Sequence, residues 1–163
     1  TGRYYYLEGQ VFRETPYKND TIDGIQTQFY RGGKLRAKIG FSKGMRTPFI
    51  EEYLADGKLF TDYPEIVVNV TDEYNSRGLY RINLELTDNK TKVDFFRGEF
   101  INNRFDTTVC RPINVVNGKA RLDLRKSSSP GRNYVGVIAS ILTPFGNRKL
   151  SYKKIDLPYN DLN

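Results

Sequence analysis

Histidine and tryptophan are absent from these 163 residues, and cysteine and methionine occur once each. Without histidine the chain lacks the side chain that most often moves protons near neutral pH, so catalysis would need paired carboxylates, tyrosine or lysine in a shaped pocket. The adjacent Glu51 and Glu52 do not supply such a pair, because neighbours in a strand point to opposite faces. We therefore expect no catalytic residues. A lone cysteine excludes an intrachain disulfide, and Cys110, within Thr108-Val109-Cys110-Arg111-Pro112, reads as a small buried hydrophobe in a strand with no histidine to activate it. The same scarcity, with no Asp-x-Asp-x-Asp-Gly loop, argues against zinc and EF-hand calcium; neither a metal nor a cofactor is expected. No stretch approaches the roughly 18 apolar residues that cross a bilayer, so no transmembrane segment is expected. Runs of like charge stop at pairs such as Arg125-Lys126 and Lys153-Lys154.

Charge is nonetheless unbalanced. The net value is +7, with residues 1 to 63 holding 10 basic and 8 acidic side chains and the remainder holding 16 and 11. Nucleic-acid binders concentrate such an excess on a stripe, whereas here it is spread at strand-like spacing, so no nucleic-acid partner is expected. The sequence opens at Thr1 without methionine or a charged-then-apolar leader, which reads as a trimmed form whose removed part was a signal, with peripheral attachment through that segment. A periplasmic or cell-surface location follows as the expectation, with the cytoplasm as the alternative.

What the chain has in abundance is large amphipathic rings: Tyr 12 and Phe 10 against a 38% apolar fraction. Rings suit a pleated surface, and the expected class is all-β. Glycine marks a period. Tyr5-Tyr6-Leu7-Glu8-Gly9, Phe29-Tyr30-Arg31-Gly32-Gly33 and Tyr53-Leu54-Ala55-Asp56-Gly57 place Gly9, Gly33 and Gly57 24 residues apart. Tyr17-Lys18-Asn19 and Phe41-Ser42-Lys43 keep the same offset. Each unit reads as a β-hairpin with a turn at the glycine and a second turn at Lys18-Asn19-Asp20 or Lys43-Gly44, giving an antiparallel hairpin array. Tyr5, Tyr30 and Tyr53 are taken as one ladder of rings and as the candidate binding surface, with Gly9, Gly33 and Gly57 as structural turns.

Tyr17-Lys18-Asn19 with Asp23-Gly24, Phe29-Tyr30 with Gly33-Lys34-Leu35, and Glu52-Tyr53 with Gly57-Lys58-Leu59 resemble the MORN-type repeat of the YwqK-like antitoxin family, over about residues 4–62. The match departs from the pattern in lacking Trp, in Pro48 standing where Gly24 predicts glycine, and in Asp20 replacing a turn glycine. The resemblance implies a meander of hairpins used for protein or lipid contacts, and in some relatives an antitoxin or immunity role.

The repeat ends near Asp62-Tyr63-Pro64, and proline, which cannot donate a ladder hydrogen bond, is a natural boundary. Two domains are expected: hairpin repeats over 1–63 and a sandwich over 64–163. Strands are predicted over 65–71, 79–86, 92–100, about 107–110, 119–125, 134–142 and 148–157, with turns at Asn75-Ser76-Arg77-Gly78 and Asn117-Gly118. About seven short strands resemble an immunoglobulin-like β-sandwich, with Tyr134 to Leu142, apolar on both faces, placed centrally. No segment keeps helical periodicity over ten residues. The functional expectation is a non-enzymatic binding or scaffold module with a protein or glycan partner; the alternative is an antitoxin or immunity protein that binds a cognate toxin.

Overall fold

The computed structural model describes all residues, Thr1–Asn163. The chain is all-β and antiparallel, and divides into two compact units: Thr1–Asp62 with Phe100–Asp106, and Tyr63–Glu99 with Thr107–Asn163. The boundary read from Pro64 places residues 100–106 in the second domain, whereas their contacts group them with the first. One such contact is the Phe105 amide donating to the Arg46 carbonyl at 2.7 Å, which proline and glycine spacing could not reveal.

The first unit contains β1 (Gly2–Tyr5), β2 (Val11–Thr15), β3 (Tyr17–Lys18), β4 (Thr21–Ile22), β5 (Gly24–Phe29), β6 (Leu35–Ser42) and β7 (Met45–Glu52). Five of them form a meander in the order β1-β2-β5-β6-β7, and β3 and β4 form a separate two-stranded hairpin. Turn chemistry recurs with the sequence period. The amides of Tyr6, Tyr30 and Leu54 donate to the carbonyls of Gln10, Lys34 and Lys58, each at 2.8 Å, and those of Gly9, Gly33 and Gly57 donate back to residues 6, 30 and 54, each at 2.9 Å. All three glycines adopt positive φ, near +90°, where a Cβ would be strained. Closing pairs repeat as well: Tyr5 opposes Val11, Phe29 opposes Leu35 and Tyr53 opposes Leu59. The second turn type holds Asn19 and Asp20 at φ 52° and 65°, and Lys43 and Gly44 at 50° and 81°, so both pairs take the two left-handed residues of a tight hairpin.

Register sorts this sheet into two faces. One row runs Arg3, Glu14, Thr27, Lys38, Glu51 across all five strands, with opposite charges adjacent at Arg3–Glu14 and Lys38–Glu51. The other runs Tyr4, Arg13, Gln28, Ala37, Glu52 and passes from exposed at Tyr4 to fully buried at Ala37 and Glu52. Inside the sheet Gln26 Nε2 donates to Thr15 Oγ1 at 3.1 Å.

The second unit contains β8 (Ile66–Glu73), α1 (Tyr74–Arg77), β9 (Leu79–Leu86), β10 (Val93–Arg97), β11 (Arg111–Ile113), β12 (Val115–Val116), β13 (Lys119–Arg125), β14 (Tyr134–Leu142) and β15 (Arg148–Asp156). They form two four-stranded sheets, β11-β10-β14-β15 and β12-β13-β9-β8. Alternation along β9 turns Tyr80, Ile82, Leu84 and Leu86 into one core with Phe95, Val135, Val137, Ala139 and Ile141 of the opposing sheet, giving a sandwich. β14 is an interior strand, and Val135 to Ala139 are buried without a break.

Two local readings change. Residues 74–77 form a single helical turn that ends at Gly78, φ 60°, where a plain turn was expected. The predicted segment 107–110 is a turn, and pairing with β10 starts at Arg111, which opposes Arg97, the last residue of β10. Cys110 is buried as expected but lies just before the strand, its Sγ 3.5 Å from the Glu99 carbonyl oxygen.

Candidate binding surface

In the first unit the tyrosines that bridge repeats are Tyr6 and Tyr30. The Tyr6 hydroxyl donates to the Phe29 carbonyl at 2.8 Å, and the Tyr30 hydroxyl donates to the Tyr53 carbonyl at 2.7 Å, the same link displaced by one period. Tyr5, Tyr30 and Tyr53 therefore span two rows: Tyr5, Phe29 and Tyr53 share one repeat position, and Tyr6, Tyr30 and Leu54 share the next. The grouping fails by a single residue, which in a strand is a change of face. Tyr30 and Tyr53 are half-buried, and Tyr5 is 56% exposed. Replacing Tyr30 with phenylalanine should cost about 0.5–1.5 kcal/mol by deleting this link while keeping the ring. Urea unfolding tests it, and an unchanged midpoint would mean that the link contributes nothing.

Exposed rings collect at the β1 end of the sheet. Tyr4, Tyr5 and Tyr17 are each about half exposed and Leu7, at the hairpin tip, is fully exposed. Neighbouring side chains order Tyr4 and Tyr6. The Arg13 guanidinium lies 4.3 Å from the Tyr4 ring centroid, Phe12 packs against Tyr4 and Tyr6 at 6.0 and 5.2 Å, and Arg31 sits 5.0 Å over Tyr6 while pairing with Glu8 at 2.6 Å. β1 is an edge strand, so one side of its backbone carries no ladder partner within the sheet. At the other end, Lys34, Leu35, Tyr53, Asp56 and Gly57 line a shallow cavity of about 290 Å³. Burial and the nearby Glu51 carboxylate push the Tyr53 phenol up.

The second unit has a groove of about 650 Å³ at the β12-β13-β9-β8 sheet, where Asn69, Asn83, Glu85, Asn114, Lys119 and Arg121 line it together with the apolar Leu84, Val116 and Ala120. Beside it, Arg81 grips Asp123 in a two-pronged pair at 2.8 and 3.1 Å, which holds the Asp123 carboxyl below its usual range. On the other sheet the Tyr152 hydroxyl donates to Glu99 Oε1 at 3.0 Å. Burial, then this carboxylate, pushes Tyr152 up to about 12, and hydrogen bonding to Glu99 also raises Tyr134. A Cβ on Gly136 would lie 2.8 Å from both Glu99 Cγ and the Gly98 carbonyl oxygen, so only glycine lets this group close over β14.

Sequence reasoning missed Tyr4 and Tyr6, although the offset between Tyr6 and Tyr30 is the same 24 residues that marks the glycines. It had no signal for Glu99 with Tyr152, whose separation of 53 residues is bridged only by folding. No group of three or more His, Cys, Asp or Glu side chains is placed to hold a metal ion, and no helix is long and apolar enough to cross a membrane. Compared with protein-family models, with curated proteins and with solved structures, the chain has no match.

Proposed function

We propose that this chain is a non-enzymatic binding module, built at its start from MORN-type hairpin repeats, that recognises a protein or glycan partner at the surface or in the periplasm of a bacterium. The observation that carries the reading is the free edge of β1 flanked by exposed side chains, with Tyr4 on one face of the strand and Tyr17 close to Gly2, Tyr5 on the other face, and Leu7 at the hairpin tip. Tyrosine joins a large contact area to a low ordering cost, and an edge strand offers main-chain hydrogen bonds to an extended segment. The turns beside β1 are fixed by glycines and by repeated hydrogen bonds, so its edge and rings are presented from a scaffold already in place.

Tyr4→Ala with Tyr5→Ala tests this. Immobilised wild-type and variant chains are challenged with an extract of the native host and with a glycan array. A partner held by wild type and weakened at least about tenfold by the variant, with the melting temperature retained, supports the proposal. Equal retention of every bound species by both chains would sink it.

A further inference from the structure

We propose that the groove at the β12-β13-β9-β8 sheet of the second unit binds an acidic sugar, a ring that carries one carboxylate beside neighbouring hydroxyls. Arg121 receives the carboxylate, and Asn69, Asn83 and Asn114 meet the hydroxyls. Register brings these residues together. Asn69 of β8 directly opposes Asn83 of β9, and Asn83 directly opposes Arg121 of β13, so three strands supply one row on one face. Asn114 immediately precedes β12, which pairs with β13, and it lines the same groove of about 650 Å³.

The charges around this row are matched, except for one. Arg81 and Glu85 flank Asn83 on the same face of β9. Arg81 holds both oxygens of Asp123 at 2.8 and 3.1 Å, and Glu85 pairs with Lys119 at 3.7 Å. Arg121 is exposed and takes part in no salt bridge. Two cations in the groove, Lys119 and Arg121, against one carboxylate, Glu85, leave a single positive charge. This suits one carboxylate per ring better than a phosphate dianion, and the planar fork of arginine matches the two oxygens of a carboxylate.

The amides select hydroxyls, because an asparagine side chain both donates and accepts, as a hydroxyl does. Asn83 Nδ2 donates to the Asn69 carbonyl at 3.2 Å and to Thr71 Oγ1 at 3.4 Å, which orients the amide and leaves Oδ1 to accept from a ligand. Val116, directly opposite Lys119 and 60% exposed, adds an apolar patch for the C–H edge of a ring. No aromatic side chain lines the groove, so a nucleobase would find no ring to stack on. The site shares no residue with β1 and stands or falls separately from the reading given for that edge.

The test titrates the full, isotope-labelled chain at constant ionic strength with trigalacturonate, trimannuronate and a hyaluronan hexasaccharide in separate arms. Maltotriose is the neutral control and acetate the control without a sugar. Wild type should give saturable shifts of the Asn69, Asn83 and Asn114 side-chain amide signals with at least one acidic sugar, at least about tenfold more tightly than with either control. Arg121→Gln should weaken that binding at least about tenfold and keep the melting temperature. Arg125→Gln, the same charge change further along β13 and outside the groove, should keep the affinity within about twofold. No saturable response to any of the three acidic sugars, equal affinity for maltotriose or acetate, or an equal loss in the two variants would overturn the proposal.

Discussion

Truncating Phe95 to alanine is expected to lower stability by about 3–5 kcal/mol, a large share of what a domain of this kind has to lose. Phe95 is fully buried on β10, opposite Ile113 of β11 and Ala139 of β14, and belongs to the cluster that joins the two sheets. Its ring fills a space that small neighbours cannot reach: Ala139 beside it and Ala120 on the facing sheet contribute one methyl each. The cavity should therefore persist after truncation. Equilibrium denaturation followed by tyrosine fluorescence checks this, with a lower midpoint and an unchanged slope. Phe95→Leu, which keeps most of the volume, should cost much less. A loss below about 1 kcal/mol for the alanine variant would mean that the sheets relax into the gap and that the core is looser than its burial implies.

Arg46→Met is the second large effect, in the first unit. Glu52 is fully buried there, and its charge acts on the Arg46 guanidinium. Burial brings Arg46 down to about 10, while Glu52 opposes that shift, so the carboxylate supports the cation but does not fully offset its desolvation. Removing the cation leaves a buried carboxylate without this countercharge, and breaking such a pair costs about 3–5 kcal/mol. The double variant Arg46→Met, Glu52→Leu should recover most of that loss, since exchanging a whole buried pair for apolar side chains is often neutral or stabilising. Thermal unfolding of the two single variants and the double variant measures the coupling. Additive losses would show that the two charges do not depend on each other.

Much of this architecture was legible along the chain. The period of 24 in Gly9, Gly33 and Gly57 located three turns, because a residue with φ near +90° must be glycine wherever a side chain would be strained. Alternation in 79–86 and apolar residues on both faces in 134–142 located one half-wet strand and one strand covered on both sides. The tyrosine ladder shows where such reasoning stops. Spacing located Tyr5, Tyr30 and Tyr53 to within one residue, and one residue decides which row a ring joins. Residues 100–106, assigned with the sandwich by their place in the sequence, group with the hairpin unit through contacts such as Phe105 to Arg46.

Local chemistry alone determined the β class, the turns and the alternation of faces, since these depend on backbone sterics and on side chains a few residues apart. Only the tertiary structure decided which groups meet: Glu99 with Tyr152, Arg97 with Arg111, and Glu52 with the charge of Arg46. The first two meetings depend on pairings between strands, and the third joins two residues six apart on β7 across the irregular β6–β7 register, which the pattern of residue types does not announce. Charge and burial become a site only after long-range register has brought such groups within a few ångströms.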